Sequence, residues 1–214
     1  MIIFQFFELV LHIDKYLQIL VNEYSVAVYV ILFLIIFFET GIVISPFLPG
    51  DSLLFAAGAL AATGSLEIGL LFFVVFLASV LGDTVNYHIG KFIGPRIFTK
   101  ESSWFFNRNY LVRAQHFYEK NGKKTIILAR FIPIIRTFAP FVAGIGTMSY
   151  LVFLGYNIIG AVLWSSLFIF GGFWFGNIPI VKDNFGLFVI GVIIISLIPL
   201  VKEILALIKE KKNN

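Results

Sequence analysis

The sequence contains no cysteine, which excludes disulfides and thiolate metal sites. Histidine is almost as scarce. His12, His88 and His116 have no histidine four residues away and no carboxylate cluster nearby, so the spacing of a metal site is missing. No nucleophile elbow, phosphate-binding loop or dinucleotide fingerprint occurs. The expectation is a protein without metal or cofactor that is not an enzyme. Charge is also in short supply: 13% of the 214 residues are Asp, Glu, Lys or Arg, against 59% hydrophobic. A soluble domain of this length has too much surface for its volume to hide that apolar fraction. An integral membrane protein is the class that remains.

The apolar residues are grouped in runs. Residues 26–44 form a run interrupted by Glu39, either a spanning helix or the first arm of a hairpin. The stretch SPFLPGDS (45–52) breaks it with Pro46, Pro49 and Gly50. The next piece, Leu53–Thr63, has about 11 residues, where a span needs roughly 20. A short helix beside such a break points to a re-entrant segment over about 45–63. Residues 66–89 can span. Residues 125–148 are apolar again but broken by Pro133 and Pro140, which gives a second re-entrant segment. Residues 150–176 and 185–208 are two ordinary spans. No Ser/Gly/Pro-rich linker divides the chain, so 25–208 is expected to be one transmembrane domain.

The flanks differ. In residues 1–24, Phe6, Val10, Ile13, Leu17, Leu20 and Tyr24 recur at helical spacing among polar residues. They predict an amphipathic helix on the membrane surface or against the bundle. A signal peptide does not fit, because the basic n-region is missing and Glu8 and Asp14 are present. Residues 209–214 form a basic tail.

Residues 91–124 carry Lys91, Arg96, Lys100, Arg108, Arg113, Lys120, Lys123 and Lys124 against Glu101 and Glu119. The positive-inside rule explains this basic loop without nucleic acid and places it in the cytoplasm, together with both termini. Counting from that loop, the two broken segments enter from opposite faces. FAAG (Phe55–Gly58) closes the first and FVAG (Phe141–Gly144) closes the second. Paired interrupted segments of this kind point to an inverted repeat with a site near the midplane. The fold class is therefore all-α integral membrane: a helical bundle with two oppositely oriented re-entrant hairpins in an inverted repeat.

Four charges fall in these membrane segments: Glu39, Asp51, Arg130 and Arg136. Each isolated charge costs about 2.5–3.5 kcal/mol at the centre of a spanning helix. Four cost roughly 10 kcal/mol, which is the whole stability of a small domain. They are expected to meet one another, two acids from the first half facing two arginines from the second. One reading is a structural salt-bridge network that locks two hairpins. The other is a polar pathway in which Arg130 and Arg136 bind a phosphate through their planar forks. In that reading Glu39 and Asp51 couple movement to protons. Asp83, Asn86 and Tyr87 lie near the end of a span and serve either as a polar cap or in the site. Trp164, in mid-span, is expected to pack in the bundle.

Several stretches carry a family resemblance: Glu39 with PGDSLLFAAGALAATG (49–64), GDTVNYHIGKFIG (82–94), RFIPIIRTFAPFVAGIGTM (130–148) and NIIGAVLW (157–164). Over about residues 25–175 the chain resembles the DedA family of bacterial inner-membrane proteins, within the wider VTT or SNARE-associated Golgi superfamily. Asp51 and Lys91 stand where family members often carry Glu and Arg. The resemblance implies a flippase or scramblase for a polar lipid, such as an undecaprenyl phosphate-like carrier or a phospholipid, dependent on the proton motive force. Its partners are then membrane lipids, above all an anionic lipid phosphate, and protons. A proton-coupled cation antiporter and a structural membrane protein are the alternatives. Oligomeric state is left open.

Overall fold

The computed structural model describes residues 25–42, 50–97, 108–146, 148–184, 187, 188 and 191. Among these residues every regular element is helical and no strand occurs. In chain order the helices are α1 (Ser25–Gly41), α2 (Gly50–Ala62), α3 (Ile68–Ile97), α4 (Arg108–Asn121), α5 (Thr125–Ala129), α6 (Pro133–Ile145), α7 (Tyr150–Gly176) and α8 (Pro179–Asp183), with a 3-10 turn at Gly122–Lys124 before α5. The expected N-terminal helix (1–24), the basic tail (209–214), Pro46, Pro49 and all but a few positions of 185–208 lie outside the described residues.

Two helices are long and apolar enough to cross a membrane, Ile68–Phe92 of α3 with 25 residues and Tyr150–Gly176 with 27. At 1.5 Å per residue they reach about 38 and 40 Å, more than the ~30 Å of hydrocarbon. The 17 residues of α1 reach about 26 Å. Polarity then separates a membrane helix from the core helix of a soluble protein. Along α3, Leu70, Phe73, Leu77, Leu81, Val85 and Phe92 are exposed, while Ser79, Asp83 and Asn86 are buried. Along α7, Leu151, Ile159, Leu163, Leu167 and Trp174 are exposed, while Asn157 and Ser165 are buried. Water would enforce the reverse order; lipid permits this one.

Two expectations need correction. The basic stretch 91–124 is not a continuous loop: α3 runs on to Ile97, and Arg108–Asn121 is helical. Its charges hid an apolar face. Ala114 is buried with Phe138 and Phe141 of α6 in one cluster, and Tyr118 packs on another with Tyr87, Ile126 and Phe153. Pro140 does not break its helix, because α6 continues through it to Ile145. The interruption lies earlier, at Arg130–Ile132, and Pro133 opens α6 in the first helical position, where its missing N–H costs nothing.

The chain packs as two compact units. Of the described residues, 25–28, 50–71 and those from 168 onward form one, and 29–42 with those between 72 and 167 form the other. In the first, α2 lies against the C-terminal half of α7. A Cβ at Gly58 would fall on the Ile169 carbonyl oxygen, and one at Gly172 on the Phe55 carbonyl oxygen. In the second, α6 lies against α3 in the same manner. A Cβ at Gly144 would fall on the Tyr87 carbonyl oxygen, and one at Gly90 on the Phe141 carbonyl oxygen. A Phe-x-x-Gly on a short helix thus meets a glycine and the carbonyl three residues before it on a long helix, once in each unit. Such backbone approach is how helices pack where lipid removes the hydrophobic drive.

Candidate functional site: two buried arginines

The second unit holds Glu39, Asp83, Arg130 and Arg136, none of them more than 5% exposed. The local sequence sets the arginines out. After α5, the backbone N–H groups of Arg130, Phe131 and Ile132 donate to the carbonyls of Ile127, Leu128 and Ala129. This tightened turn has 3-10 character. Ile132 is extended, as the residue before a proline prefers, and Pro133 starts the next helix. Arg130 therefore sits at the break and Arg136 in the first turns of α6.

Arg130 Nη2 donates to Asp83 Oδ2 at 2.5 Å and to Asn157 Oδ1 at 2.5 Å. Asn157 in turn donates from Nδ2 to the Val80 carbonyl at 3.1 Å, so it ties α7 to α3 while it orients the guanidinium. Space for Arg130 comes from Gly160, where a Cβ would meet Arg130 Cδ at 2.9 Å. Arg136 Nη2 donates to Glu39 Oε1. The Arg136 Cζ atom lies 5.2 Å from the centroid of the Trp164 ring, a cation–π arrangement. Asn86 Nδ2 donates to the carbonyls of Thr40 at 2.9 Å and Thr137 at 2.8 Å. Tyr87 donates from its hydroxyl to the Met148 carbonyl at 2.6 Å and stacks on Phe153 at 4.5 Å.

Each arginine thus faces one acid from an earlier helix, which balances the charge in a site closed to solvent. Removing one partner of such a pair costs about 3–5 kcal/mol, because the other charge stays buried. Asp83 and Asn86 do not cap a helix end: α3 extends to Ile97, and both side chains point into the unit. Asp51 lies in the first turn of α2 in the other unit and is half-buried. A carboxylate there complements the partial positive charge of a helix N-terminus. Gly50 is the first residue of that helix.

The donors are not exhausted. Arg130 Nε and Nη1, and the acceptors Asp83 Oδ1 and Asn86 Oδ1, are buried without a hydrogen-bond partner among the described residues. A guanidinium with free N–H groups is suited to an oxyanion. Among the described residues no group of three His, Asp or Glu side chains is placed to hold a metal ion.

Sequence reasoning gave no site role to Asn157, Thr40, Thr137 or Trp164. Asn157 carried a legible signal, being a carboxamide in the middle of an apolar span. The threonines take part through backbone carbonyls, which side-chain identity does not reveal.

The VTT domain family model matches residues 48–173. The chain is 53% identical to protein DedA of Escherichia coli strain K12 over 206 residues, covering 95% of this chain and 94% of that protein. It is 46% identical over 165 residues to an uncharacterized membrane protein of Mycobacterium leprae, covering 77% of this chain and 74% of the other. It is 31% identical over 152 residues to inner membrane protein YqjA of Escherichia coli strain K12, covering 71% and 69%. No solved structure matches. With polar groups buried inside apolar helices, and with relatives of this similarity over nearly its whole length, the chain is a membrane protein of the DedA family, built on the VTT domain.

Proposed function

We propose that this protein moves a polar lipid phosphate between leaflets, with Arg130 and Arg136 as the phosphate-binding groups and protons as the coupling ion. The observation that carries the reading is the pair of buried arginines, one of which keeps unused N–H donors. Salt bridges that only hold helices together have no use for spare donors in lipid, where each unsatisfied group is costly. A phosphate oxygen would satisfy them. Glu39, and Asp83 in the place expected of Asp51, are the proton-coupling groups, since these are the acids that face the arginines. A phosphate that takes over an arginine leaves a carboxylate without its counter-charge, so anion arrival and proton uptake become linked. The matching glycine joints of the two units support an inverted repeat with two re-entrant segments. The basic residues of 91–124 support a bacterial inner-membrane topology with both termini in the cytoplasm.

The test is a reconstituted flipping assay with a labelled lipid phosphate, with and without a pH gradient. Transport by the wild type that Arg136→Lys impairs is the expected result, since lysine keeps the charge but loses the fork. Glu39→Gln is expected to move lipid without the wild-type dependence on pH. Normal transport by a folded Arg136→Lys protein returns the pair to simple charge balance, as in a structural protein.

A further inference from the structure

Asn86 stands out among the groups that the proposed function does not use. It is fully buried in α3, and its Nδ2 donates to two backbone carbonyls that belong to different helices, Thr40 of α1 and Thr137 of α6. Only the NH₂ end of a carboxamide can donate, so two carbonyl partners fix which way the amide points. The two accepting residues are the immediate neighbours of Glu39 and Arg136, the two halves of one ion pair. We infer that Asn86 is the positioning residue of that pair: its amide clips the two backbones that carry the acid and the arginine and so sets their distance.

Both carbonyls can accept from a side chain, for different reasons. Thr40 lies in the last turn of α1, where carbonyls have no intrahelical donor. Thr137 lies inside α6, where a backbone carbonyl has a second lone pair that can accept from a side chain besides its intrahelical donor. The glycines bring the third helix close enough. A Cβ at Gly41 would come within 3.3 Å of the Gly82 backbone, and Asn86 follows Gly82 by one helical turn.

The consequence for lipid movement rests on the anion-site reading above; the clip itself is tested apart from it. Trp164 is the reporter, because Arg136 lies over its ring. The chain has three tryptophans, so Trp104→Phe with Trp174→Phe leaves Trp164 as the sole emitter. Asn86→Leu removes the donor, and Asn86→Asp keeps the shape but accepts where donation is needed. Both are expected to shift Trp164 emission and its quenching while the protein stays folded by circular dichroism and keeps a cooperative melt. Asn86→Gln, which retains the NH₂ on a longer stem, is expected to recover part of the wild-type signal. Wild-type emission in folded Asn86→Leu and Asn86→Asp overturns the assignment. Loss of folding in both, or a shift that Asn86→Gln does not reduce at all, also overturns it, since the amide would then hold the fold and not the pair. Flipping is measured on the same variants. If the wild type moves no lipid, the function fails while the emission result still decides the clip.

Discussion

The guanidinium of Arg136 lies over the indole of Trp164, its Cζ 5.2 Å from the ring centroid, while the same side chain donates to Glu39. The ring and the carboxylate share one cation. Trp164 is fully buried, so its replacement removes both packing and the π face. Trp164→Leu is expected to destabilise the protein by about 3 kcal/mol, and Trp164→Phe by about 1 kcal/mol. Thermal unfolding in detergent checks both. Equal losses for the two variants would remove the cation–π contribution.

The Asp83–Arg130 pair gives a coupling prediction. Asp83→Leu leaves a guanidinium buried beside Asn157 alone and is expected to cost about 3–5 kcal/mol. The double variant Asp83→Leu with Arg130→Met is expected to cost clearly less than the sum of the singles. A double-mutant cycle by thermal unfolding measures this, and additive losses would mean that the two charges do not stabilise each other.

Gly144 is the most constrained point of the α6–α3 joint, where a Cβ would fall on the Tyr87 carbonyl oxygen and come within 2.9 Å of the Lys91 backbone nitrogen. Backbone atoms cannot swing aside as a side chain can. Gly144→Ala is therefore expected to cost about 1–3 kcal/mol, and Gly58→Ala to behave alike in the other unit. Gly155 is the control, since a Cβ there would meet nothing within 4 Å. Gly155→Ala is expected to melt like the wild type.

The orientation is testable because the native chain has no cysteine. Lys123 is exposed next to α5. In a Lys123→Cys protein the thiol is expected to resist an impermeant reagent in intact cells and to react once the membrane is opened. Labelling from outside would invert the proposed topology.

Much of this arrangement was legible in the sequence. The break around Arg130 announced itself through Pro133, and the span over Tyr150–Gly176 through length and hydropathy alone. That Arg130 and Arg136 must meet acids followed from the cost of burying charge. Which acids they meet did not follow. Asp83 looked like a residue near a helix end because the basic residues after Tyr87 imitate a loop, whereas α3 carries them onward to Ile97. The helix Arg108–Asn121 was hidden for the same reason, since its polar face outweighs the few residues that touch α6. Asn86 binds backbone carbonyls of two other helices, and which carbonyls a packed helix presents to a neighbour is not encoded in composition.

The order of the ion pairs along the chain bears on how the protein is made. Glu39 precedes Arg136 by 97 residues, and Asp83 precedes Arg130 by 47. The ribosome therefore delivers each acid before its arginine. That sequence of events suits the chemistry, because a carboxyl group in hydrocarbon can hold a proton and wait neutral, whereas a guanidinium stays charged. When α5 and α6 emerge, both counter-charges are already in the membrane to receive them. Nascent chains truncated after α6 are expected to insert that segment efficiently, and to insert it poorly when Glu39 and Asp83 are both replaced by leucine. That result would make the acids a landing place for the arginines during biogenesis.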